Sequence, residues 1–148
     1  MDNENDIFLH VSSNDSLSYF PHNTPAVFRV KLNTTLNLNG SWEMGVCDVN
    51  MQNVNVGENA ASLKMFITCS ICSGFIVDGK QTRAIRVLGM SENVVETYAH
   101  ILYIPVGVRF IDCIEFRILN DEMHEVSFGG KGKTETGYTS ITLHIKRS

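Results

Sequence analysis

Ala26-Val27-Phe28-Arg29-Val30-Lys31-Leu32 alternates apolar and polar side chains without a break after its first two residues. A period of two puts Phe28, Val30 and Leu32 on one face of an extended chain and Arg29 and Lys31 on the other, the pattern of a half-buried strand. The same period recurs further along the chain. Leu63, Met65, Ile67, Cys69 and Ile71 form one inward set, Ile114, Phe116 and Ile118 a second, and Ile141, Leu143 and Ile145 a third. Cys113, Glu115 and Arg117, and then Thr142, His144 and Lys146, take the opposite faces. Shorter strand candidates cover residues 7–11, 42–49, 75–77, 84–88, 100–106 and 126–128.

Turn-forming residues separate these runs. Pro21-His22-Asn23-Thr24-Pro25, Asn39-Gly40, Asp78-Gly79 and Asn120-Asp121 all favour chain reversal. Residues 129–137 hold four glycines and are expected to form a mobile connection. Residues 91–99 are the one stretch able to form a helix, with Ser91 as its N-cap and Glu92 in the first turn. Roughly eight to ten strands at close spacing, with at most that one short helix, define an all-β antiparallel sandwich or barrel.

At 148 residues the chain has the size of one domain, expected over residues 1–148, with residues 1–6 as a disordered N-terminal arm. A domain of this size buries roughly 70% of the surface its unfolded chain exposes, so a core is available without disulfides. The net charge of −4 offers no electrostatic reason for nucleic-acid binding. Lys131, Lys133 and the closing Lys146-Arg147 are read as a solvated loop and chain end. No apolar run approaches the ~20 residues that span a bilayer. The start, Met1-Asp2-Asn3-Glu4-Asn5-Asp6, is acidic, unlike a secretory or mitochondrial leader, so a non-secreted protein is expected.

Chemistry-bearing patterns are sparse. Cys69 and Cys72 form a C-x-x-C, but the segment reads as strand, on which residues three apart face opposite ways. They are therefore expected to be reduced, metal-free packing residues, like Cys47 and Cys113. His10, His22, His100, His124 and His144 are scattered singly, without the close pair that a metal-binding jelly roll would supply. Asp121-Glu122 with His124-Glu125 reads as a polar hairpin tip. Phosphate-loop, nucleophile-elbow and H-E-x-x-H patterns do not occur. No catalytic residue, metal or cofactor is expected, and the chain is read as not an enzyme.

Two segments carry a resemblance. The first runs from Tyr19-Phe20-Pro21-His22-Asn23-Thr24-Pro25 through Phe28, Val30 and Leu32 to Leu36, Leu38, Gly40, Trp42-Glu43 and Gly45. The second is His100-Ile101-Leu102-Tyr103-Ile104-Pro105-Val106, then Phe110 to Ile118, closing with Thr142-Leu143-His144-Ile145-Lys146-Arg147. Together they resemble the single jelly-roll minor capsid (penton, or vertex) proteins of Polinton/Maverick elements and of adintovirus- and adomavirus-like DNA viruses. Phe20 stands where those proteins often have Tyr. The resemblance implies an antiparallel single jelly-roll β-sandwich, a place in the virion, and synthesis in the host cytoplasm or nucleus. It implies self-assembly as a homopentamer beside a major double jelly-roll capsid protein, and it carries over no catalytic residue. Relatives often carry extra sequence beyond the jelly roll, and this sequence stops at Ser148.

For a ring of subunits the contact must come from loops and strand ends, because the inward faces are used by the core. The candidates are Pro21, His22 and Asn23 in the first turn, Met51, Val54 and Val56 in the long connection after the Trp42 strand, and Lys131 and Lys133 in the glycine-rich loop. The alternative is a non-capsid jelly roll that binds carbohydrate or a receptor, or a domesticated viral copy with a new partner. A metal-dependent jelly-roll enzyme comes third, for want of the histidine pair.

Overall fold

The structure, a computed structural model, describes residues 6–59, 62–73, 76–77, 79–129 and 137–148. Among them the chain forms β1 (Asp6–Ser12), β2 (Val27–Asn37), β3 (Trp42–Gln52), β4 (Lys64–Cys69), β5 (Ile76–Val77), β6 (Lys80–Gln81), β7 (Ala84–Gly89), β8 (Val94–Thr97), β9 (Ile104–Pro105), β10 (Phe110–Leu119) and β11 (Tyr138–Arg147). One sheet has the order β1-β11-β3-β8, with β9 also on β3. The second has the order β2-β10-β4-β7, and β5 and β6 pair as a separate hairpin. Every pairing is antiparallel.

The pairings are nested. β4 meets β7, β3 meets β8 and β9, β2 meets β10, and β1 meets β11. One long hairpin of strand pairs has thus been folded over, and it closes through β11 on β3 and β10 on β4. This is the jelly-roll arrangement of two packed Greek keys.

The alternating faces meet between the sheets as expected. Phe28, Val30, Met65, Ile67, Ile114, Phe116, Ile118, Ile141, Leu143 and Ile145 lie in one buried cluster, and Trp42 joins it. Phe28 and Phe116 are cross-strand partners with stacked rings, centroids 5.3 Å apart. Burying each phenyl ring contributes about 1.5–3 kcal/mol. Arg29 and Lys31 face outward, where they meet Glu115 at 3.4 Å and Asp112 at 3.8 Å.

Several local expectations are corrected. Residues 91–99 form no helix: Val94-Val95 extends as β8, because β-branched side chains suit a strand and Val94 fills the core beside β3. Asp6 belongs to β1, pairing with Lys146, and is not part of a loose arm. Leu63 is 77% exposed, because β4 begins one residue later. β4 ends at Cys69, so the C-x-x-C spans a turn and not a continuous strand, and Cys72 Sγ folds back to the Cys69 carbonyl oxygen at 3.4 Å. Residues 126–128 contribute isolated bridges at most, and the 100–106 run keeps two residues of strand.

Candidate interaction site at one end of the sandwich

The connections β1–β2, β3–β4, β7–β8 and β10–β11 emerge at the same end, and backbone hydrogen bonds stitch them together. Asn55 N–H donates to Ser127 O, Gly129 N–H to Asn53 O and Val54 N–H to Glu92 O, at 2.7–2.9 Å. Asp121, from the β10–β11 connection, accepts from the N–H groups of Leu63 and Lys64 at 3.0 and 3.1 Å. The acidic tip is therefore a cap on β4, a role that its sequence did not show.

Pro21, His22 and Asn23 lie at this end on the surface, though Asn23 is half-buried. Its carboxamide donates to Arg29 O at 2.8 Å and accepts from Arg29 N–H at 3.0 Å. Thr24 Oγ1 accepts from Val27 N–H at 3.1 Å, and Ser16 Oγ accepts from Lys31 N–H at 2.9 Å. The outer edge of β2 is thereby closed by side chains of the connection before it, as an edge strand requires. Val56 is exposed. Met51 and Val54 are not surface residues: Met51, inside β3, is at 0% exposure and Val54 sits at 2%. β3 runs on to Gln52, which keeps Met51 in the alternating inward set, and the Val54–Phe128 bridge holds Val54 inside. Neither presents a surface to a neighbouring subunit. Lys131 and Lys133 lie outside the described residues.

The first turn also walls a cavity of about 350 Å³ against the outer face of β2 and β10. Tyr19, 67% exposed, Phe20, Pro21 and His22 form one side, and Arg29 and Glu115 form the other. Glu115 lies between Arg29 Nε at 3.4 Å and Arg117 Nε at 3.8 Å. A second opening, about 500 Å³, lies at the opposite end beside Cys72, Arg83 and Val108.

Burial disfavours the thiolate form at Cys47, Cys69 and Cys113. Cys47, Cys69, Cys72 and Cys113 form no disulfide. Burial pushes the Cys69 thiol far up, and burial first, then Asp48, raises Cys47. Among the described residues no three His, Cys, Asp or Glu side chains converge as metal ligands.

The motif residues quoted above turn out to be cross-strand partners. Trp42, Glu43 and Gly45 on β3 stand opposite Arg147, Lys146 and His144 on β11. Arg147 lies 4.8 Å over the Trp42 ring and donates to Asn39 O at 2.9 Å, the carbonyl that also accepts from Trp42 Nε1. Lys146 meets Glu43 at 3.5 Å and lies over the Tyr103 ring at 4.2 Å. His144 Nδ1 meets the Tyr103 hydroxyl and Nε2 meets Asp6 Oδ1, both at 2.7 Å. These side chains hold the framework together.

The nested pairing defines the class of this protein, a single jelly-roll sandwich. No protein-family model matches the chain, and no curated protein matches its sequence. Among solved structures it is similar, at 12% identity and a TM-score of 0.30, to a chain of the infectious bursal disease virus Gx strain, over 96% of this chain and 32% of that one. A chain of the T13 IBDV viral particle gives 11% identity and 0.26, over 97% of this chain and 36% of that one. The chain thus spans about a third of each. At these scores neither overlay establishes a common architecture, and the fold assignment rests on the strand pairing.

Proposed function

We propose that this chain is a structural virion protein, a minor capsid subunit that assembles with itself around fivefold vertices beside a major double jelly-roll coat protein, and that it performs no catalysis. The observation that carries this is the pairing of the two resembling segments. Trp42-Glu43-x-Gly45 and His144-x-Lys146-Arg147 are far apart in sequence and opposite one another in space. The resemblance to vertex proteins therefore lies in a cooperating framework and not in one local run. The role fits the physics: a rigid sandwich offers two sides that can meet head to tail in a closed ring, while its end loops vary. Val56 and the Pro21–Asn23 turn supply the contact at the end described above.

Co-expression with the coat protein from the same genome, followed by electron cryo-microscopy, tests the proposal. Jelly-roll density of this size at the fivefold positions is expected. Particles that close without the chain, or that carry it only at other positions, refute it.

A specific observation favours one second reading. The Tyr19–His22 cavity joins an exposed aromatic ring to an ion pair, which suits a binding module for carbohydrate or a receptor. A chain that never enters particles but binds a glycan through Tyr19 belongs to that class.

A further inference from the structure

We propose that the free edge of β1 is a self-association site, on which β1 of a second copy adds antiparallel about a twofold axis through Phe8. This goes beyond the capsid reading and does not rest on it.

The backbone sets the register. Ser13 N–H donates to Thr139 O on β11 at 2.8 Å, so Val11, Leu9 and Ile7 also turn their backbone groups toward β11. Ser12, His10, Phe8 and Asp6 turn theirs away. Ser12 N–H is capped by Asp15 Oδ2 at 2.8 Å, whereas Phe8 and His10 have no strand on that side among the described residues. The β2 edge on the same side of the sandwich is closed by Asn23, Thr24 and Ser16. β1 has neither proline nor lysine and pairs with β11 without a bulge, so between Asp6 and the capped Ser12 its edge is open.

The sequence of β1 is complementary to its own reverse. Centred on Phe8, antiparallel pairing sets Phe8 against Phe8 of the second copy, Ile7 against Leu9 and Asp6 against His10. Positions 6, 8 and 10 are those whose N–H and C=O groups point outward, so all three fall on hydrogen-bonded pairs in this register. The side chains agree with it. Phe8 is 64% exposed, with its ring stacked on His144. Asp6 Oδ1 accepts from His144 Nε2 and His10 Nδ1 is bonded with Thr142 Oγ1, which leaves Asp6 Oδ2 and His10 Nε2 for each other across the two symmetric pairs. Five paired residues bury less than a stable dimer needs, so the association is weak and concentration-dependent, strengthened where copies are already held close.

Sedimentation velocity over a concentration series tests this on the full chain. The sedimentation coefficient is expected to rise with concentration. His10→Asp sets like charges opposite each other twice and weakens the dimer roughly tenfold. Phe8→Pro removes the outward N–H at the axis while sparing every hydrogen bond to β11, and it abolishes the association; circular dichroism confirms that both variants are folded. Phe8→Cys places two thiols on Cα atoms about 5.5 Å apart, within disulfide reach, and yields a cross-linked dimer under mild oxidation. Val95→Cys, on the exposed edge strand β8, does not. A coefficient that stays flat into the millimolar range with no cross-link at position 8 overturns the proposal. So does self-association that His10→Asp and Phe8→Pro both leave unchanged.

Discussion

The Asn23 carboxamide gives one hydrogen bond to the Arg29 backbone and takes one from it, the pair that a neighbouring strand would otherwise make. Asn23→Ala should cost about 1–2 kcal/mol for the two bonds and leave the β2 edge open. A lower denaturation midpoint, with more light scattering on storage, is the expected result. Asn23→Asp keeps the acceptor, loses the donor and should fall between. Tyr98 presents a different case. Its hydroxyl is buried without a hydrogen-bond partner among the described residues, and Arg86 lies 3.5 Å over its ring. Burial first, then the Glu96 carboxylate, pushes the phenol up to about 12. The folded state thus holds a proton that the unfolded chain releases near pH ~10. The stabilisation linked to that proton is complete below pH ~10 and is lost as the pH rises through about 12. In an absorbance titration one of the four tyrosines should ionise late, and Tyr98→Phe should remove that step.

β3 carries the most neighbours of any strand, with β11 along its length and β8 and β9 on its other side. Gly45 lets the chain before β9 lie against its outer face. A Cβ there would stand 2.6 Å from Leu102 O and closer still to Ile101 Cγ2. Gly45→Ala should therefore displace the 101–105 segment and cost ~1–3 kcal/mol, the range of overpacking. At Gly89, on β7, an added Cβ meets nothing within 4 Å, and Gly89→Ala should change stability by less than ~0.5 kcal/mol. Parallel urea melts compare the two. Element types were legible where the alternation was long, as in β2, β10 and β11. They failed at β8, because four residues carry too little period to outweigh a Ser91-Glu92 cap signal. They failed again after β3, where Met51 and Val54 looked like loose loop residues because a twofold pattern cannot show that β11 and Phe128 continue to cover them.

At the scale of the molecule the first and last strands are structural neighbours. Asp6 pairs with Lys146 in the β1–β11 ladder while its carboxylate holds His144. Apart from the small β5–β6 hairpin, the innermost pair is β4 with β7, and each further pair spans more chain. No further pair of the two main sheets can form before long loops close, so folding is expected on the millisecond-to-second scale of β-sandwiches. The nesting also makes the sandwich one cooperative unit. Trp42, buried beside Arg147 at the closing end, should lose its folded fluorescence in the same denaturant transition as the far-UV circular dichroism. Two separated transitions would show that the sheets unfold independently.

What the sequence determined by itself was local: which segments extend, which side chains of each share a face, and where the chain turns. Those follow from the twofold period of an extended backbone and from the residues that tolerate reversals, and neither needs a partner. The order of strands, the closure of the β2 edge by Asn23, the cavity under Tyr19 and the meeting of Trp42 with Arg147 were decided by tertiary structure. Each depends on which strand lies beside which, and alternation is the same for every strand. A partner is chosen by the packing of the whole core, to which residues more than a hundred positions apart contribute together.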